Sequence, residues 1–296
     1  MEKPQLVKLT PEQLRELQLA QLDMLKFFKQ FCEENNITFY FIGGGLIGAL
    51  RSGGFIPWDD DIDLLLPRPD YERLCRLWQE KYPDGRFRLL RTDEAMFPGN
   101  IFATVPDTNY TMVKANQTDV DIPHGLVIDV FPLDVCPDSN FARKRQYFWT
   151  LMYSLFLAQI VPENHGGMIA FGSRVLLGIF RGKKLRRRLW QTAEKHMQRY
   201  KLEENQYVTE LCSGPRWMKV KYPKRIYDGV DYVTFEGIRL PVAAGYKEYL
   251  TLVFGDYMTP PPEEQRVPHH DIAYLDLHTP CKVYDDAHRA EYTKKG

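Results

Sequence analysis

Hydrophobic positions near the start of the chain recur at helical spacing. Leu14, Leu17, Leu25, Phe28 and Cys32 fall near one face, with polar residues between them. Thr10-Pro11-Glu12-Gln13 supplies a hydroxyl N-cap, a proline at the first helical position and a glutamine three residues after the cap. A helix to about residue 34 is predicted, ended by Asn35-Asn36. Residues 37–42 are β-branched and aromatic and read as a buried strand. Gly43-Gly44-Gly45 follows, then a short helix over 46–51 that Gly53, Gly54 and Pro57 break. Residues 61–66 read as a strand, and 69–81 as a helix with Tyr71, Leu74, Leu77 and Trp78 on one side. Residues 86–90, 101–105 and 110–114 are plausible strands, and 126–131 is an almost continuous apolar strand carrying one carboxylate, Asp129.

The middle of the chain changes character. Residues 141–161 and 168–200 are helical in composition, separated by Pro162 and Gly166-Gly167. Within the second lies a basic run, residues 181–188, with six cationic side chains in eight residues. Beyond it, 231–235 and 238–241 form a hairpin across Glu236-Gly237, 246–254 a short helix, and 255–270 a Pro-rich loop. The pattern suggests a core of residues 1–137 and 205–296 interrupted by a helical insertion, 138–204, in a single composite domain.

Composition narrows the class. At 296 residues and 44% hydrophobic the chain can bury a real core, which excludes wholesale disorder. Thirty-nine basic and 39 acidic residues cancel, which argues against a nucleic-acid binder. Five dispersed cysteines without a C-x-x-C motif point to reduced, buried thiols in a cytoplasm rather than a disulfide or zinc scaffold. The N-terminus has no apolar signal region, and the longest uncharged stretch, 146–162, is short for a membrane span. The basic run follows the apolar stretch 175–180, a pairing that could hold the chain peripherally against the anionic inner membrane surface.

The sharpest chemistry lies in Trp58-Asp59-Asp60-Asp61-Ile62-Asp63. Side chains at i and i+2 of a strand share a face, so Asp61 and Asp63 would point the same way beside an apolar run. Like charges repel and burial adds a desolvation cost; a divalent cation relieves both, and hard oxygen ligands favour Mg²⁺ or Mn²⁺. Asp129 would be a further ligand or the group that orients and deprotonates an attacking hydroxyl. An EF-hand fails because Leu64 stands where its glycine belongs and Asp70 where its bidentate glutamate belongs. A dinucleotide fingerprint, Gly43-x-Gly45-x-x-Gly48, is weakened by the early end of the helix that follows.

A Gly-Gly turn after a strand, an Asp-x-Asp strand about sixteen residues on and a third Asp on a later strand resemble the nucleotidyltransferase (DNA polymerase β-like) superfamily. Gly44-Gly45, Gly48, Arg51 and the run from Ile56 to Asp63 look like the LicD family, which includes fukutin and fukutin-related protein; residues 125–134, 249–262 and His269-His270 are similar to its later blocks. The resemblance implies an α+β fold, a mixed sheet flanked by helices, and an enzyme. It implies a phosphotransferase that moves phosphocholine or another phospho-alcohol from a CDP-linked donor to a hydroxyl of a glycan or polyol-phosphate acceptor. That acceptor would be a lipopolysaccharide or teichoic-acid-type polymer or a lipid-linked precursor. By matching position, Asp59, Asp61, Asp63 and Asp129 would form the metal and catalytic set. Gly44 and Gly45 would approach donor phosphate, and Arg51 would reach a phosphate or simply pair with Asp59 or Asp60. Trp58 could face a choline ammonium, or simply pack on the core, while Tyr257, Arg266, His269 and His270 could clamp nucleotide or acceptor. The rivals are an NTP-dependent nucleotidyltransferase and a non-catalytic binding protein on the same fold.

Overall fold

The computed structural model describes residues 5–92, 99–159 and 167–292, and among them it has eight α-helices and ten β-strands. The first helix, α1 (Pro11–Glu34), starts on the expected capping box: Gln13 N–H donates to Thr10 Oγ1 at 3.2 Å and Thr10 N–H to Gln13 Oε1 at 3.0 Å. Its apolar face, with Leu17, Leu25 and Phe28 fully buried, packs into the main core.

The central sheet is mixed. Its order is β1 (Tyr40–Phe41), β2 (Asp63–Pro67), β5 (Leu126–Cys136), β6 (Tyr207–Thr209) and β7 (Tyr222–Pro223), and β3 (Ala103–Asp107) also pairs with β5. β2 and β5 are parallel, while β3 and β6 run antiparallel to β5. β5 is the spine: it is long enough to carry β3 on its first half and β6 at its end, and it is apolar because both of its edges and its faces are covered. Between the strands lie α2 (Gly43–Ser52) and α3 (Arg68–Lys81). Two smaller sheets complete the β structure: β4 (Thr111–Lys114) with β10 (Ile272–Asp276), and the hairpin of β8 (Val230–Phe235) and β9 (Ile238–Ala243). Glu236 and Gly237 turn that hairpin with positive φ at both positions, 47° and 78°. The chain closes with α7 (Tyr246–Phe254) and α8 (Cys281–Tyr292).

The middle segment forms α4 (Asn140–Ala158), α5 (Gly167–Ile179) and α6 (Lys183–Met197). Tyr153, Phe156, Leu157, Trp190, Ala193 and Met197 make a hydrophobic cluster separate from the one on the central sheet, and Leu211 and Cys212 join it.

Several expected elements differ in extent. The helix expected over 168–200 is two helices, because the chain leaves helical geometry before Gly182, the extended N-cap of α6. Residues 160–161, Pro162 and Gly166, where the preceding helix was expected to end, lie outside the described residues. The strand expected at 37–42 shrinks to β1, and 86–90 contributes only isolated bridges at Phe87 and Leu90. Gly43-Gly44-Gly45 is not a loop but the first turn of α2. The strand expected from residue 61 begins at Asp63. All five cysteines are free and buried, as expected.

Candidate active site

Parallel pairing of β2 with β5 puts Asp63 directly opposite Asp129, so the two carboxylates stand side by side at the start of the strand pair. Asp61 lies just before β2, in a segment already guided by the Asp129 N–H bond to the Ile62 carbonyl at 3.0 Å. The alternation expected of a strand therefore begins early: Ile62 is fully buried, while Asp61 and Asp63 are both partly exposed. Asp59 and Asp60, which a bare acidic triplet would place in a solvated turn, are buried.

α1 holds this turn by its backbone. Gln18 donates its side-chain amide to the carbonyls of Ile56 and Asp59 at 3.2 and 2.9 Å, and Gln21 donates to the carbonyls of Asp60 and Val127 at 3.0 and 3.3 Å. Two buried glutamines on the apolar face of α1 thus tie the acidic loop to β5. From the other side, the glycines make room. A Cβ on Gly44 would sit 2.2 Å from Asp59 Oδ2, and one on Gly43 would sit 2.8 Å from Asp63 Oδ2. Gly43 also needs its positive φ of 65°. Gly45 leaves space for the Phe41 ring, 2.3 Å from the Cβ it lacks.

The electrostatics are those of a like-charge cluster. Burial, then Asp61 and Asp60, push the Asp59 carboxyl well above the usual carboxylate range. Burial, then Asp61, Asp129, Asp59 and Glu210, do the same to Asp63. Asp61 is raised by burial too, with His270 working against it. Asp59 Oδ2 and Asp129 Oδ1 are buried without a hydrogen-bond partner. The only described cation beside Asp129 is Lys114 at the end of β4, 3.9 Å away. A divalent cation fits this donor set: several carboxylates, unpartnered buried oxygens and, among the described residues, too little positive charge to neutralise them.

Asp60 behaves differently from its neighbours. Its two oxygens accept from the His269 and His270 backbone N–H groups at 2.9 and 3.1 Å. Burial works against the charged form, but His270 and these backbone bonds outweigh it, so Asp60 is held below the usual range. His270 Nδ1 lies 3.4 Å from Asp60 and 3.9 Å from Asp61. Its pKa is raised because Asp60 and Asp61 outweigh burial. Asp60, Asp61 and His270 bring one ligand atom each within 4.8 Å of one another. Asp60, however, is already committed to two amides, so its first task is to fasten the Pro-rich loop onto the acidic loop.

The other expected contacts spread out. Arg51 does not pair with Asp59 or Asp60; its guanidinium donates to the carbonyls of Tyr257 and, at 3.1 Å, Thr259, bracing the Pro-rich loop. Arg266 sits 5.3 Å over the Trp58 ring. A cleft of about 1310 Å³ opens beside Asp129: it is lined by Asp129, Lys114 and His270 and also by Leu151, Leu155 and Leu176 of α4 and α5. A second depression, about 1000 Å³ between α3 and α6, is lined by Glu72, Arg91 and Glu194, which already pair with one another.

Four participants escape a reading of the sequence. Lys114 reaches Asp129 from a different sheet, and Gln18 and Gln21 look like ordinary helix residues. Glu210, fully buried just past β6, has one oxygen bonded by Ser213 at 2.8 Å and contributes negative charge near Asp63. Only the unbroken acidic run hinted that so many anions would be gathered here.

A family profile described as LicD/FKTN/FKRP, nucleotidyltransferase domain, matches residues 36–124. Over 266 residues the chain is 31% identical to the lipopolysaccharide cholinephosphotransferase LicD of Haemophilus influenzae, covering 87% of this chain and 96% of that protein. It is also 26% identical over 157 residues to mannosyltransferase regulator 4 of Saccharomyces cerevisiae, covering 51% of this chain and 12% of that protein.

Proposed function

The chain belongs to the LicD family and is a transferase; from that premise we propose that it moves phosphocholine, or a related phospho-alcohol, from a CDP-linked donor to a hydroxyl of a cell-surface glycan or teichoic-acid-type polymer, releasing CMP. The name of the Haemophilus relative supports choline phosphate and lipopolysaccharide as the pair transferred and modified. The observation that carries the reading is the cluster of Asp59, Asp61, Asp63 and Asp129, reached from a cleft that Asp129 lines and left without cations enough, among the described residues, to neutralise it. In this reading the mixed sheet is nucleotidyltransferase-like, residues 138–204 are an insertion in one composite domain, and the free buried thiols are in keeping with a cytoplasmic enzyme.

Asp61, Asp63 and Asp129, supported by Asp59, would hold Mg²⁺ or Mn²⁺. When bound, such an ion offsets the charge of a donor diphosphate and of the departing CMP. The chain's own residues supply position. Asp129 accepts the proton of the acceptor hydroxyl and aims its oxygen, and Lys114 adds positive charge for phosphate at the same mouth. Gly44 and Gly45 open α2, whose N-terminus favours an anion. Asp60 holds His269 and His270 at the rim, and His270 can carry a proton there. Arg51 fixes Tyr257, and Arg266 stacks on Trp58, so that one wall of the donor pocket is built from the Pro-rich loop.

Purified protein incubated with CDP-choline, glycan acceptor and Mg²⁺ tests the reading. Release of CMP with choline phosphate on the glycan is expected. Pyrophosphate from a nucleoside triphosphate, with no CMP from any CDP-linked donor, would replace it with nucleotidyl transfer.

A further inference from the structure

Helix α5 buries only one side. Ser173 is buried, and Leu176, Leu177 and Phe180 turn inward, the latter three against the cluster of α4 and α6. Phe171, Val175 and Ile179 follow at four-residue spacing on the opposite side and are 68%, 42% and 66% exposed. Arg174 and Gly178 share this arc and are exposed too. Three large apolar side chains in line on an open helix face need a partner.

The surrounding charge says which kind. From residue 164 to residue 193 the sequence contains no Asp or Glu. Arg174, Arg181, Lys183, Lys184 and Arg188 are exposed, and among the described residues none of them meets a carboxylate. Not all of the basic run faces outward. Arg186 turns in, donating to the carbonyls of Leu177 and Phe180 at 2.8 and 2.6 Å and to Gln159 Oε1. It thereby closes the end of α5 onto α6 and fixes the angle between the apolar stripe and the cations beside it.

We infer that α5 and the start of α6 seat the protein on an anionic lipid bilayer. Phe171, Val175 and Ile179 enter the boundary between headgroups and acyl chains, and Arg174, Arg181, Lys183 and Lys184 meet lipid phosphates. An apolar stripe flanked by lysine and arginine, with no acid nearby, is the pattern of a helix lying in that plane. Among the described residues no helix is long and apolar enough to cross a membrane, so this contact is peripheral. The inference deepens the proposed function and rests on it for its purpose: Gly172, Ser173 and Leu176 of the same helix line the cleft that holds Asp129. A bilayer under α5 would therefore lie beside the mouth through which a membrane-borne acceptor enters.

Co-sedimentation with vesicles tests it. Wild-type protein is expected to pellet with phosphatidylglycerol-containing vesicles, not with pure phosphatidylcholine, and to be released by high salt. A variant combining Arg181→Gln, Lys183→Gln and Lys184→Gln, all at exposed positions, is expected to bind roughly a hundredfold more weakly, at about a fivefold loss per charge. Phe171→Ser with Ile179→Ser should lose binding while keeping its circular dichroism and melting temperature. Equal pelleting of wild type and both variants, or no pelleting on anionic vesicles, would overturn the inference. So would a dimer dissolved by the Phe171→Ser, Ile179→Ser pair in a protein that ignores lipid. CMP release with a soluble acceptor separates the two readings: activity without vesicle binding sinks only the membrane contact, and vesicle binding without CMP release sinks only the enzymatic assignment.

Discussion

Two groups of carboxylates share β5 and its neighbours, and the chain treats them in opposite ways. Near its end, buried Asp134 accepts two bonds from Arg68, at 2.8 and 2.6 Å; Arg68 also meets Glu72, which meets Arg91. Fully buried Asp107 on β3 is likewise bracketed by Arg86, at 2.7 to 3.0 Å. At the start of the same strand, among the described residues, Asp129 has only Lys114 at 3.9 Å, Asp61 has His270 at 3.9 Å, and Asp59 and Asp63 face other carboxylates. The first group is compensated by guanidinium groups on the chain and serves architecture. The second is left without guanidinium partners, which is costly in a folded protein and accords with the proposal that a bound cation and substrate phosphate complete it.

The sharpest break in this contrast comes from removing a partner on the compensated side. Arg68→Ala leaves Asp134 buried and alone, and should cost about 3–5 kcal/mol in a urea melt while the folded fraction keeps its turnover. On the uncompensated side the result reverses. Asp63→Asn should lower CMP release by at least ~10²–10³, as loss of one transition-state contact does, yet leave the cation-free protein as stable or more so. Asp60→Asn falls between: two backbone amides lose a charged acceptor, at about 1–3 kcal/mol, and the Pro-rich loop should become more sensitive to protease. Arg51→Ala, which loses a half-buried bond to the Tyr257 carbonyl and an exposed one to Thr259, should cost about 1–2 kcal/mol and shift the KM for donor more than kcat.

pH sharpens the same comparison. Asp59 and Asp63 are raised in the folded state, so the folded chain holds protons that the unfolded chain has released. Stability without cation should therefore fall as pH rises from the ordinary aspartate range through the raised one, and saturating Mg²⁺ should cancel the fall. A melting-temperature profile with and without Mg²⁺ reads this directly.

Local signals carried much of this from the chain alone. The Thr10 cap and the spacing of Leu17, Leu25 and Phe28 defined α1, Glu236-Gly237 defined the hairpin turn, the acidic run singled out Asp61 and Asp63, and the lone carboxylate of an apolar strand singled out Asp129. Contacts made only by tertiary folding were not legible. β10 and α8 come from a stretch without strong periodicity, and Lys114 approaches Asp129 only once β4 has paired with β10. Asp60 stands outside the expected metal set, and nothing nearby in sequence announces the two amides, 209 and 210 positions away, that it binds. Gly44 read as an opening for phosphate, and its immediate neighbour is Asp59. A composition-neutral acid cluster is visible in one dimension; what fails to neutralise it is visible only in three.

The central claim is that these carboxylates are kept for a divalent cation, and thermal unfolding of wild type against Asp63→Asn with titrated Mg²⁺ tests it most directly. The account predicts a saturable rise in melting temperature for wild type, enhanced by CDP, with the cation-free variant melting at or above wild type and not responding to Mg²⁺. An unchanged wild-type melt, or an equal Mg²⁺ response in the variant, would contradict it.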